Sequence, residues 1–148
     1  MSVFCAVCVL VVYPQFAFSD VWKEPKTGIE FVSIPAGTYT QGCGKWASDC
    51  NPDESPVRTV KLDAFWIGRT EVTQGQWKRV MGTNPAGFPR GDNFPVENVS
   101  RQNVNDFLEK LAALVPEEKF RLPTEAEWEY ACRAEGQPLS YGTKDGSL

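Results

Sequence analysis

The chain has 148 residues, of which 42% are hydrophobic and 23% charged, and this composition excludes collagen-like, coiled-coil and disordered chains. Its 15 Lys and Arg residues against 19 Asp and Glu residues leave a net charge of −4, which argues against a nucleic-acid partner. The sequence contains no histidine, so a Ser-His-Asp triad, a histidine-activated cysteine and a histidine-ligated metal site are excluded within this chain.

The N-terminal residues 1–19 carry no charge and have the pattern of a secretory signal peptide. An apolar run over residues 3–12 is followed by Pro14 and by the small-x-small pattern of residues 17–19. A signal peptide usually has a Lys or Arg before its apolar run, and this sequence has none there. An N-terminal membrane anchor is therefore the alternative, although the run is short for a membrane span. We therefore expect an exported protein, periplasmic or secreted, with no stable membrane span in the mature chain.

Three cysteines follow the predicted signal peptide: Cys43, Cys50 and Cys132. Cys43 and Cys50 flank six residues in a loop rich in Gly, Asp and Asn, and in an exported protein this spacing predicts a local disulfide. A thiolate metal site would need more ligands than three cysteines supply. Cys132 is then a buried free thiol, half of an intermolecular bond, or the partner of a cysteine outside this chain. Trp46, inside the predicted disulfide loop, is the one residue that we take as a contact candidate.

The first half of the remaining chain is predicted to form strands. Residues 29–42 carry apolar side chains on either side of a Pro35-Ala36-Gly37 turn, which predicts two short strands paired in a hairpin. Residues 57–68 alternate apolar and β-branched positions and predict another strand or a bent pair of strands. Residues 120–122 predict a brief extended segment.

Two helices are predicted between these strands and the last segment. Thr73 and Gln76 have the spacing of a capping box, which predicts a helix over residues 74–81. Ser100 can cap a second helix that ends before Pro116. Its apolar face is formed by Val104, Phe107, Leu108, Leu111 and Leu114.

A third helix is predicted to begin after Thr124 and to run through about Arg133. Glu125, Glu127 and Glu129 lie close together in this segment and could suggest paired carboxylates for acid-base chemistry. A structural explanation is better, because acids in a first turn complement the helix dipole and Glu127 completes a capping box. Glu129 is expected to pair with Arg133 one turn later. The residues alone therefore predict one α+β unit without a catalytic, cofactor-binding or metal-ligating group.

The order of four motifs resembles the N-terminal half of the formylglycine-generating enzyme, or sulfatase-modifying factor, family. These motifs are FVSIPAGTYTQG at 31–42, DESPVRTVKLDAFWIGRTEVTQGQW at 53–77, FPVENVS at 94–100 and RLPTEAEWEYACRA at 121–134. The resemblance implies a variant of the C-type lectin-like fold, with short helices and strands and long loops. We accordingly expect a signal peptide at 1–19, an N-terminal leader segment at 20–28, and a family domain at 29–148 that is truncated at its C-terminus.

The resemblance also implies what the family does. Active members oxidise a cysteine of a sulfatase to formylglycine and use copper held by a pair of cysteines. These cysteines lie in the C-terminal half of the family domain, after segments that resemble GNVWEW and RGGSW. Neither segment is present in this sequence. No catalytic, cofactor or metal role therefore transfers to Cys43, Cys50 or Cys132. Copper and calcium are expected only with the C-terminal half present, and some members pair a cysteine at the position of Cys132 with one in that half.

Two functional hypotheses follow from this resemblance. The leading one is the N-terminal portion of an exported formylglycine-generating-enzyme-like oxidoreductase, with a sulfatase or another protein or peptide as partner. The alternative is a non-catalytic lectin-like binding module, because a fold does not determine a function. In either case we expect the missing half to leave four apolar side chains exposed, namely Phe65, Trp66, Phe107 and Trp128.

Overall fold

The computed structural model describes residues 10–11, 21–44 and 54–133, which form an α+β arrangement of two sheets and three helices. The strands are β1 (Leu10–Val11), β2 (Val21–Lys23), β3 (Glu30–Ile34), β4 (Gly37–Gln41), β5 (Arg58–Leu62), β6 (Phe65–Gly68) and β7 (Phe120–Arg121). The helices are α1 (Gln74–Met81), α2 (Arg101–Leu114) and α3 (Glu125–Cys132). The predicted α+β class is confirmed for the described residues.

The strands form a five-stranded sheet in the order β2-β3-β6-β1-β7 and a two-stranded sheet of β4 and β5. Every pair of neighbouring strands is antiparallel. β1 comes from the predicted signal peptide and β2 from the predicted leader segment. Cleavage after residue 19 stays a prediction, while β2 pairs with β3 over three residues and so belongs to the sheet.

The predicted hairpin of residues 29–42 was wrong in its pairing, although both of its strands form. β3 pairs with β2 and β6, whereas β4 pairs with β5. The pairing of β3 with β6 ends at Ile34 opposite Phe65, and the pairing of β4 with β5 resumes in the same register at Gly37 opposite Leu62. The chain therefore forms one bent antiparallel ribbon, because alternation predicts strands but does not specify their partners.

All three predicted helices are confirmed, each with its capping box. Thr73 accepts a hydrogen bond from the Gln76 amide, and the Gln76 side chain accepts one from the Thr73 amide. Gly82 ends α1 in the left-handed conformation at φ 79°, where a glycine is unstrained. The same reciprocal pair forms between Ser100 and Asn103 in α2.

The apolar core is divided into two clusters. In the larger one, α1 and α2 pack together, with the rings of Trp77 and Phe107 stacked 4.8 Å apart, and they cover Phe31 of β3. In the smaller one, Tyr130 of α3 packs on Tyr39 and Phe65. Among the described helices, no segment is long and apolar enough to cross a membrane.

The expected exposure of four apolar side chains is only partly correct. Trp128 is 49% exposed, but Phe65 and Phe107 are 3% and 0% exposed, and Trp66 is partly buried against the larger cluster. The prediction was wrong for Phe65 and Phe107 because α3 and α1 cover them. The described residues therefore bury these two rings within the chain itself.

Candidate functional site

The predicted disulfide loop lies at the tip of the bent ribbon, between β4 and β5. The Cys43 amide donates to the carbonyl oxygen of Glu54 at 3.1 Å, which closes the base of the loop. A Cβ on Gly42, whose φ is +96°, would lie 2.5 Å from that same oxygen, so this position requires glycine. Cys50 and Trp46 lie outside the described part of the chain, so the Cys43–Cys50 disulfide and the contact role of Trp46 stay predictions.

Helix α3 holds the base of this loop through a buried ion pair. Glu129 Oε1 accepts hydrogen bonds from the Gly42 amide at 3.0 Å and from Arg133 Nη1 at 2.7 Å. The same Arg133 nitrogen donates to the Thr40 carbonyl at 3.0 Å, and the guanidinium lies over the Tyr39 ring. The predicted Glu129–Arg133 pair is thus confirmed, and the bond to Gly42 shows that it anchors the loop to the helix.

Tyr39 is shielded from water beneath this ion pair. Its hydroxyl donates to the Ala126 carbonyl at 2.8 Å. Burial, with a smaller contribution from the charge of Glu129, raises the pKa of Tyr39 to about 12. The phenol is therefore a neutral hydrogen-bond donor at physiological pH and ties β4 to α3.

The carboxylate of Glu127 has a structural role, as its place in the capping box predicts. Its two oxygens accept from Arg121 Nη1 and Nη2 at 2.8 and 2.6 Å, a bidentate ion pair. One oxygen also accepts from the amide and the hydroxyl of Thr124. Burial alone raises the pKa of Glu127, but the hydrogen bonds from Arg121 and Thr124 outweigh burial and lower it. A carboxylate held ionised in this way is unsuited to acid-base catalysis near neutral pH.

Cys132 is free and exposed at the end of α3, so the interpretation of it as a buried thiol is wrong. Within residues 21–44 and 54–133, no three His, Cys, Asp or Glu side chains are grouped so that they could hold a metal ion.

A second feature, which the sequence did not predict, is a cleft between the β2–β3 turn and the start of α1. Its volume is about 490 Å³, and basic side chains from both walls line it, namely Lys23, Lys26 and Arg79. The sequence gives no local pattern for this cluster, because Arg79 lies more than fifty positions after Lys23 and Lys26 in a chain of net charge −4. Only the packing of the turn against the helix brings them together.

Comparison with known proteins identifies a family over most of the chain. The profile of the family described as "Sulfatase-modifying factor enzyme 1-like domain" matches residues 17–147. The chaperone protein LppX of Paenibacillus barcinonensis is 35% identical in a 123-residue alignment that covers 61% of this chain and 43% of that protein. The formylglycine-generating enzyme of Bos taurus is 24% identical, over 74% of this chain and 41% of the enzyme. The chain therefore spans less than half the length of these two relatives.

Two solved structures share the fold. PvdO from Pseudomonas aeruginosa superposes with a TM-score of 0.74 at 27% identity, over 90% of this chain and 59% of that one. Variable protein 1 of Treponema denticola superposes with a TM-score of 0.65 at 23% identity, over 88% and 62% of the two chains, and this likeness concerns the fold alone.

Proposed function

Since this chain belongs to the family of the sulfatase-modifying factor enzyme 1-like domain, we propose that it is the N-terminal portion of an exported formylglycine-generating-enzyme-like protein. The observation that carries the proposal is the family match over residues 17–147, supported by the likeness to the bovine formylglycine-generating enzyme. In this proposal the activity is the oxidation of a sulfatase cysteine to formylglycine. The arrangement of the whole domain is a variant of the C-type lectin-like fold.

The part played by this chain is structural in the proposal. The described residues supply the bent ribbon, the loop base held by Glu129 and Arg133, and the two apolar clusters. Copper and calcium, where the protein uses them, are held by residues beyond this chain. The chain's contribution to activity is then a framework that supports the catalytic half and presents the loop around Trp46 to a partner.

The name of one relative supports a second candidate function, a binding role. The LppX protein, 35% identical over the aligned part of this chain, is a chaperone by its name. That name supports a protein-binding role for this chain, because function depends on the site and not on the fold. In this alternative the protein is a non-catalytic lectin-like binding module.

The decisive experiment incubates the full-length protein with copper, oxygen and a peptide that carries the sulfatase cysteine motif. We expect mass spectrometry to show conversion of the peptide cysteine to an aldehyde, and no conversion in a peptide with that cysteine replaced by alanine. An unmodified peptide, alongside a converting positive control, refutes the oxidase and favours the binding module.

Two further observations test the other parts of the proposal. Reading the source DNA downstream of the Leu148 codon should show a frame that continues into GNVWEW-like and paired-cysteine segments. N-terminal sequencing of the exported protein should begin at Asp20. An immediate stop codon contradicts the interpretation as part of an oxidase, and a mature protein that retains residues 1–19 contradicts cleavage of the predicted signal peptide.

A further inference from the structure

The cleft between the β2–β3 turn and α1 has the size of a small-ligand site and an excess of positive charge. Its volume of about 490 Å³ lies within the range of roughly 300–1,000 Å³ that is usual for ligand sites. Three cations line it, Lys23, Lys26 and Arg79, against one acidic residue, Asp92. This excess stands out because the chain as a whole carries a net charge of −4.

Two of the cations converge on a single point of the backbone. Gly28, at the end of the β2–β3 turn, has a φ of +77°, and a Cβ added to it would lie 3.1 Å from Arg79 Nη1. The same Cβ would lie 3.8 Å from the Cε atom of Lys23. The side chains of Lys23 and Arg79 thus approach the same point of the β2–β3 turn, at the wall of the cleft.

The carboxylates of the described residues only partly compensate this charge. Glu30 pairs with Lys23 at 3.3 Å, but it is shared with Arg69 at 3.1 Å. Lys26 and Arg79 form no ion pair with any carboxylate of residues 21–44 and 54–133.

The two cations without a carboxylate bond instead to backbone carbonyls. Lys26 Nζ donates to the Leu114 carbonyl at the end of α2, and Arg79 Nη1 donates to the Thr27 carbonyl at 2.6 Å. An ammonium has three N–H donors and a guanidinium has about five, so each retains donors beyond its carbonyl bond. These carbonyl bonds position the two side chains without a direct ion pair. The buried carboxylate of Glu24, in the same turn, accepts hydrogen bonds from the amides of Lys26 and Thr27.

We propose that this cleft binds an oxyanion group, either a phosphate or a carboxylate, through Arg79 and Lys26, with Lys23 as a third contact. The fixed guanidinium provides directed donors for two oxygens of the anion, and the lysines add charge. Asn93, which also lines the cleft, adds a neutral amide donor. This proposal does not depend on the oxidase function, since none of these residues has a role in the proposed oxidation.

The test uses the full chain, labelled with ¹⁵N, and titrates it with inorganic phosphate and with a short polyglutamate peptide at constant ionic strength. We expect amide shifts at the cleft residues and an affinity that falls as salt is added. Tighter binding of phosphate would assign the site to a free oxyanion, and tighter binding of the peptide would assign it to an acidic polypeptide. Absence of shifts at the cleft with both probes overturns the proposal.

Two variants with opposite expected effects separate binding from folding. Arg79→Gln should weaken binding about fourfold, the effect of one charge about 5 Å away in a water-like medium. Asp92→Asn should tighten it about twofold, because it removes the single acid of the cleft wall, whose side chain makes no hydrogen bond with the described residues. A folding defect cannot produce tighter binding, so Asp92→Asn remains informative even where Arg79→Gln is poorly folded.

The matched control is Arg101→Gln, which removes an exposed arginine from the start of α2, outside the cleft. Its affinity for both probes should stay within about twofold of the parent chain. Equal weakening by Arg79→Gln and Arg101→Gln, or no tightening by Asp92→Asn, would mean that the anions respond to overall charge rather than to a site, and would overturn the proposal.

Discussion

Replacing Glu127 by glutamine should destabilise the protein while leaving helix α3 capped. Glutamine at the third helical position supports a capping box, as Gln76 does in α1, where its Oε1 accepts from the Thr73 amide at 2.9 Å. The substitution Glu127→Gln therefore keeps one acceptor oxygen for Thr124. It removes the negative charge and the second carboxylate oxygen, which accepts a hydrogen bond from Arg121.

The expected size of the effect follows from the burial of the two partners. The side chain of Glu127 is 10% exposed and that of Arg121 is 43% exposed. Removing one partner of a fully buried ion pair costs about 3–5 kcal/mol. The cost is smaller here because water can still reach Arg121. The NH₂ group of the glutamine would nevertheless face an N–H of the guanidinium, and two donors cannot bond to each other. We therefore expect the free energy of unfolding to fall by about 2 kcal/mol.

The measurement is urea-induced unfolding of the parent and variant, analysed by linear extrapolation. The control is Glu125→Gln, in the same first turn, which also removes a carboxylate from the helix N-terminus but is exposed. Loss of the favourable dipole interaction alone should cost about 0.5 kcal/mol. The difference between the two variants isolates the ion pair with Arg121.

The dependence on pH gives a second test. The pKa of Glu127 is lower in the folded protein than the ordinary value of 4.5, so the unfolded chain takes up the proton first as the pH falls. The stabilisation is fully present above the ordinary pKa and is lost as the pH falls through the lowered value. The stabilities of the parent and of Glu127→Gln should therefore converge under acidic conditions. If Glu127→Gln loses no more stability than Glu125→Gln at neutral pH, the ion pair with Arg121 does not stabilise the fold.

Three other predictions follow from packing and burial. Gly75→Ala should lower the free energy of unfolding by about 2 kcal/mol, because its Cβ would lie 2.8 Å from the Cβ of Asp92; an unchanged urea midpoint would contradict this close packing. Phe107→Ala should lower it by about 4 kcal/mol, since the ring is fully buried and stacked on Trp77, and a loss below about 1 kcal/mol would show that the site is solvated. Tyr39 should ionise at a pKa of about 12 in a near-ultraviolet absorbance titration, and Tyr39→Phe should remove this late phase; ionisation of every tyrosine near 10 would disprove its burial.

The sequence by itself predicted the features that depend on neighbouring residues. The three helices begin after Thr73, Ser100 and Thr124, as their cap residues predict. For Thr73 and Thr124 the sequence also predicted the capping-box partner three positions later. The ion pair of Glu129 with Arg133 was predicted for the same reason, since residues four apart meet on one face of a helix. The family motifs, which are also contiguous runs of residues, indicated the family that the comparison confirmed.

Only the tertiary structure decided how these elements meet. The partners of β3 and β4 were assigned wrongly from the sequence, because alternation specifies a buried face but not the strand that lies beside it. The bond from Gly42 to Glu129 joins residues 87 positions apart, and no local pattern predicts it. The cationic cleft formed by Lys23 and Arg79 is likewise a product of packing. Electrostatic sites of this kind depend on distances in space, which a chain acquires only when its apolar clusters fix the elements against one another.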